Sequence, residues 1–92
     1  MELRDTIEMM QSDDYKERFK AEYYQTVIRY KKLNKLFVNW GNLDFKPVCP
    51  KNILMEQLRV MYDYLMVLQE RAKIEGIELT DEIFGGTYAV NN

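Results

Sequence analysis

Apolar and polar positions follow one another along this chain with the period of a packed helix, twice. From Phe19 onward, Phe19, Tyr23, Thr26, Tyr30, Leu33, Phe37 and Trp40 are spaced by fours and threes, the repeat of a seam that one helix presents to another, with Thr26 its one polar member. Leu54, Leu58, Met61, Leu65, Leu68, Ala72 and Glu75 repeat that spacing, apolar at every position but the last. Ser12 as N-cap, Asp13 and Asp14 in the first turn against the positive end of the helix dipole, and Gly41 at the far end bound the first helix at about 13–39. Pro50 in the first turn, where its missing N–H has no partner to lose, and Gly76 in a left-handed position past the end bound the second at about 50–75.

At ~1.5 Å rise per residue both helices are on the order of 40 Å long, and the roughly ten residues between them suffice for a reversal. The pattern therefore predicts an all-α fold, an antiparallel two-helix hairpin. Pro47 and Pro50 forbid helix in the connection, whose Leu43 and Phe45 predict that it packs down. Residues 2–11 predict a short N-terminal helix through Leu3, Ile7 and Met10. Thr80 to Phe84 predict one further turn ended by Gly85-Gly86, with the last six residues loose. No linker, repeat or low-complexity tract interrupts the chain, so 1–92 reads as a single helical domain with short terminal segments, 1–12 and 77–92.

Both long helices carry more apolar surface than one seam uses. Ile53, Val60, Tyr64, Val67 and Ile74 make a further stripe on the second, and Ala21, Tyr24 and Ile28 lie off the seam of the first. Either the terminal segments cover these residues or copies of the chain pack together, and the width of the stripes on so short a chain favours a homo-oligomer.

An apolar content of 47%, 13% aromatic, argues for a folded chain despite 30% charge. Cys49 is the single cysteine, no secretory leader pattern is present, and the apolar runs are far short of a membrane span, which predicts a reducing, cytoplasmic setting and no membrane partner. The net charge of −2 hides a segregation: residues 1–14 sum to −4 and 15–40 to +5, while 51–75 balance and 76–92 add −3. An anionic partner would meet the first long helix.

The absence of histidine removes the usual general base and the commonest metal ligand. Cys49, between two prolines, reads as a small loop hydrophobe; Asp13-Asp14 and Asp81-Glu82 read as helix-start residues; and Gly85-Gly86 lacks the lysine and hydroxyl residue of a phosphate loop. The chain reads as a non-enzyme without metal or cofactor. What remains is Arg29, Lys31, Lys32 and Lys35 interleaved with Tyr30, Phe37 and Trp40. That mix suits phosphate contact with base stacking, or else is a solvated face beside core aromatics. Arg71, on the second helix's outer stripe, wants an anion: Glu22, Glu75, or a ligand phosphate at a subunit junction. Gln57 on the same stripe would bond a base edge or the loop backbone. The candidate ligand-binding set is thus Arg29, Lys32, Lys35, Trp40, Gln57, Tyr64 and Arg71.

The succession Asp14-Tyr15-Lys16-Glu17-Arg18-Phe19, Ala21-Glu22-Tyr23, Arg29-Tyr30, Leu43-x-Phe45-x-Pro47-x-Cys49-Pro50, Gln57-x-x-x-Met61-x-x-Tyr64-Leu65-x-x-Leu68-x-x-Arg71-Ala72 and Glu75-Gly76-Ile77 resembles a family of small phage and prophage proteins named after a crAss-like phage, over about residues 13–79. The resemblance implies phage origin, and with it the cytoplasm of a bacterial host cell, and a helical hairpin. Tyr64-Leu65-Met66-Val67-Leu68 with Arg71-Ala72 is similar to the second hairpin helix of phage sponge proteins, oligomers that sequester the cyclic nucleotide signals of bacterial immunity such as CBASS and Thoeris. This similarity implies capture of a cyclic nucleotide signal by an oligomer; read with the basic, aromatic residues above, it gives the expectation of an anionic nucleotide held between packed hairpins, with Arg29, Lys32 and Arg71 on phosphate and Tyr64 or Trp40 stacked on a base. Two other classes fit the residues: an anti-CRISPR-like protein–protein inhibitor of a host defence enzyme, and a nucleic-acid-binding phage accessory protein, for which +5 without a basic tail is thin.

Overall fold

The computed structural model describes residues 1–81 and 86–87. Two helices, α2 at Tyr15–Val38 and α3 at Lys51–Glu75, run antiparallel as a hairpin, preceded by a 3₁₀ turn at Leu3–Thr6 that passes into a short α1 at Ile7–Met10. A second 3₁₀ turn, Trp40–Asn42, opens the connection. The molecule measures 41 × 29 × 21 Å, its long axis set by the hairpin.

The caps explain the boundaries. Asp14, not Ser12, is the N-cap of α2: its Oδ1 accepts from the Lys16 N–H at 3.0 Å. Ser12 acts one step earlier, its Oγ accepting from the Asp14 N–H at 3.0 Å while its carbonyl accepts from Arg18 at 2.7 Å. The far end of α2 closes on Asn39, whose backbone and side-chain amides both donate to the Lys35 carbonyl, so Gly41 lies beyond the end inside the 3₁₀ turn. Pro50 is the N-cap of α3 rather than its first residue. Gly76 has φ +72°, the left-handed conformation that ends α3, and a Cβ there would meet nothing within 4 Å. Gly76→Ala should therefore cost only the backbone penalty, about 1–2 kcal/mol in chemical denaturation, with no packing defect added.

Both seams face inward, but burial is lopsided. Phe19, Tyr23 and Val27 from α2 and Leu65, Leu68 and Ala72 from α3 form a closed core at the end of the hairpin away from the connection, and Ile77 and Leu79 fold back onto it. Toward the connection, Tyr30, Leu33, Phe37 and Trp40 and their partners Leu54, Leu58 and Met61 are only half-buried. Polar groups in the core are paired: Gln69 Nε2 donates to the Tyr23 hydroxyl at 2.8 Å, and the described residues include no buried side-chain N or O without a partner.

The N-terminal segment covers the second apolar strip of α2, over Ala21, Tyr24 and Ile28. It does so in an unexpected phase. Thr6 is fully buried, its hydroxyl donating to the Leu3 carbonyl (2.7 Å) and accepting from Gln25 Nε2 (2.9 Å), whereas Ile7 and Met10 are half-exposed. After Gly76 the chain is extended: Thr80–Asp81 (β1) pairs antiparallel with Gly86–Thr87 (β2), so Thr80 begins no helical turn. The expected turn at Phe84 and Gly85 and the residues beyond 87 lie outside the described residues. Among the described residues no helix is long and apolar enough to cross a membrane.

Candidate ligand groove

The way the N-terminal segment crosses α2 leaves a groove of about 540 Å³, a size typical of small-molecule sites. Its floor is apolar, from Leu3, Val27 and Ile28; Tyr24 and Thr80 close one side; and Arg4, Lys31 and Lys32 carry positive charge at its rim. Each wall is held from behind. The Tyr24 hydroxyl accepts from the Thr80 N–H at 3.0 Å, and its ring stands edge-on to Tyr23, with centroids 5.7 Å apart. The Gln25 bonds to Thr6 and to the Met10 sulfur anchor the N-terminal segment. Glu2 tempers the charge, sitting 3.0 Å from Arg4, but Lys31 and Lys32 have no carboxylate partner among the described residues.

A shallower groove of about 490 Å³ runs along the half-buried end of the hairpin, between Tyr30, Phe37, Leu58 and Tyr62. Its cations are already engaged: Arg59 bridges Glu56 and Asp63, and Lys51 lies over the Trp40 ring at 5.2 Å. An incoming anion would have to displace those partners, which makes the first groove the better receptor.

Of the seven sequence-derived candidates, Lys32 lies at the first groove. Trp40 stacks on Phe37, with centroids 5.6 Å apart, at the start of the connection. Arg29 and Lys35 are exposed on α2 away from the groove lining. Gln57, Tyr64 and Arg71 are exposed along one side of α3 at intervals of seven residues. The seven therefore do not converge within one chain. Arg71 takes the carboxylate of Glu75 at 2.9 Å and lies over the Phe19 ring at 4.7 Å, a cation–π contact. The Arg71 hydrogen bond holds Glu75 below the ordinary carboxylate range, while desolvation and a hydrogen bond to Glu75 raise Tyr15, tying the start of α2 to the end of α3.

Arg4, Tyr24 and Lys31 line the groove but fell outside that set. Lys31 belongs to the basic cluster with Lys32, and Tyr24 is an off-seam aromatic one heptad before Lys31 on α2, whereas Arg4, the lone base in the acidic opening segment, reaches them only through the crossing of the N-terminal segment. Among the described residues no group of three or more Asp, Glu or Cys is arranged to hold a metal ion.

Comparison with known proteins finds no match among curated proteins or solved structures. A protein-family model, described as Sequestin, matches residues 13–74. That span takes in α2, the connection and all but the last residue of α3, and so contains Val27 and Ile28 of the groove's floor and both of its lysines, whereas Leu3, Arg4 and Thr80 lie outside it. With about two-thirds of its length matched, across both helices of the hairpin, this chain belongs to the Sequestin family.

Proposed function

We propose that the protein is a phage-encoded, non-enzymatic antagonist of bacterial anti-phage defence that sequesters an anionic nucleotide signal. The observation that carries this reading is the combination, in one groove of about 540 Å³, of two lysines without carboxylate partners among the described residues and an apolar floor. Phosphate would meet the Lys31 and Lys32 ammonium groups, with Arg4 in support, and a base would lie against Ile28 and Tyr24. A sequestering role fits the family name, and it needs only affinity, not a reactive group.

A nucleotide that binds the folded state should raise its thermal stability by mass action, by about 2.7 kcal/mol at a hundredfold excess over Kd. The protein is expected to show this gain with a cyclic dinucleotide or an ADP-ribose derivative. Lys31→Ala/Lys32→Ala should weaken binding by about a hundredfold or more, since two charge-assisted hydrogen bonds are lost at about 1.5–3 kcal/mol each and about 1.4 kcal/mol is tenfold. Arg4→Ala should weaken it less, because Glu2 already shares that guanidinium.

A second reading places the nucleotide between copies of the chain, with Gln57, Tyr64 and Arg71 as one wall and Arg29, Lys32, Lys35 and Trp40 supplied from elsewhere. The exposure of the α3 column favours it. On that reading Arg71→Ala abolishes the thermal gain and the lysine pair is dispensable, so the two variants separate the sites. No gain with any nucleotide, together with a stoichiometric complex with a host defence enzyme, would turn the function to protein–protein inhibition.

A further inference from the structure

Tyr24 and Gln25, neighbours on α2, each hold one of the two segments that wall the groove. Gln25 holds the N-terminal segment through Thr6 and Met10, and both of these bonds use its amide as donor. Tyr24 holds the chain after Gly76 in the opposite sense, its hydroxyl oxygen accepting from the Thr80 N–H at 3.0 Å. A phenol that accepts still has a proton to donate. Among the described residues that proton has no acceptor, although Tyr24 lines the groove.

Its place along the groove gives the proton a use. Tyr24, Ile28 and Lys31 follow one another by four and three and so share one face of α2, with the lysine about 10 Å beyond the tyrosine at ~1.5 Å rise per residue. That is close to the reach from a nucleotide's phosphate, across its sugar, to the far edge of its base. We infer that Tyr24 is the residue with which the groove recognises the base. With phosphate on Lys31 and Lys32, the Tyr24 O–H donates to a ring nitrogen or carbonyl oxygen on the edge of the base. This assignment rests on the nucleotide reading of the groove.

The donor is set before a ligand arrives. The Tyr24 ring stands edge-on to Tyr23, which is fully buried and bonded to Gln69, and its oxygen is fixed by Thr80. Little side-chain freedom is therefore lost on donation. The resulting chain of bonds, from the Thr80 N–H to the Tyr24 oxygen and from the Tyr24 O–H to the base, runs in one direction, so each bond polarises the next. Capture of a base thus tightens the hold on Thr80, and phosphate alone does not. A hydrogen bond of this kind also discriminates more sharply than the apolar contacts of Val27 and Ile28, because a base edge with no acceptor leaves the phenol unpaired.

The probes are ADP-ribose and a cyclic diadenylate, with pyrophosphate supplying phosphate without a base. Tyr24→Phe should keep the fold, since Thr80 is exposed and water takes its N–H. It should weaken the tighter-binding nucleotide by roughly three- to tenfold, one neutral hydrogen bond, and leave the pyrophosphate affinity unchanged. A merely structural role would weaken both alike. Exchange of the Thr80 amide, followed by NMR, should slow in the native protein on adding the nucleotide and stay unchanged with pyrophosphate. Analogues in which CH replaces one acceptor nitrogen of the adenine ring locate the contact: one of them should lose the same factor against the native protein and nothing further against Tyr24→Phe. Equal affinity of native protein and variant for the nucleotide, equal losses for nucleotide and pyrophosphate, or no coupling to any analogue overturns the role of Tyr24 and leaves the nucleotide reading standing. Binding of neither nucleotide by the native protein overturns both.

Discussion

Leu65→Ala is expected to lower stability by about 2–5 kcal/mol and to drop Tm by more than about 10 °C. Leu65 is fully buried at the meeting of the two helices, in contact with a core of Phe19, Tyr23, Leu68 and Ala72. Truncation removes three heavy atoms of apolar side chain and leaves a hole that two long helices, tied together at Arg71–Glu75–Tyr15, cannot readily collapse to fill. A domain is held by only about 5–15 kcal/mol in total, so the loss is a large fraction. Val48→Ala is the control: Val48 sits wholly exposed in the connection and should change stability by less than about 0.5 kcal/mol. Equal melting of the two variants would mean that the seam is not the core.

Leu79→Ala should cost nearly as much, again about 2–5 kcal/mol, although the residue lies beyond the hairpin. Gly76 reverses the backbone so that Ile77 and Leu79 cover the open end of the core, where both are essentially fully buried. The next residue, Thr80, donates its N–H to the Tyr24 hydroxyl and lines the ligand groove. Loosening this strap should therefore weaken nucleotide binding as well as stability, with affinity measured below the lowered Tm so that the two effects are read apart. A stability loss under about 0.5 kcal/mol would remove the strap from the core.

The hairpin was legible because its signals are local. Fours-and-threes spacing locates a seam whatever it packs against, and Gly76 after a periodic run means a left-handed stop. The cap of α2 was legible only to within two residues, since Ser12 and Asp14 are both good caps and the choice rests on which backbone N–H each reaches. The first segment was misphased for a definite reason: it opens with a 3₁₀ turn, whose three residues per turn rotate Thr6 inward and Ile7 and Met10 outward relative to an α-helical count. Of the groove, the lysines could be found from charge density on one helix. Arg4 could not, because it joins Lys31 and Lys32 only through the packing of the N-terminal segment across α2, whereas Tyr24 stands seven residues before Lys31 on the same helix and was visible as an off-seam aromatic. Arg71 with Glu75, by contrast, is a spacing of four on one helix and was within reach of the residue pattern.

The asymmetric core described above has a kinetic corollary. Backbone amides near Tyr23 and Leu68, packed on every side, should exchange with deuterated solvent only when the whole domain opens. Those from Leu33 through Leu58, beside half-covered side chains, should exchange through smaller openings that leave the rest intact. The recess carrying Lys31 and Lys32 abuts the slow-exchanging end through Tyr24 and Val27. It should therefore be already shaped when a ligand arrives, so that little ordering entropy is lost on capture.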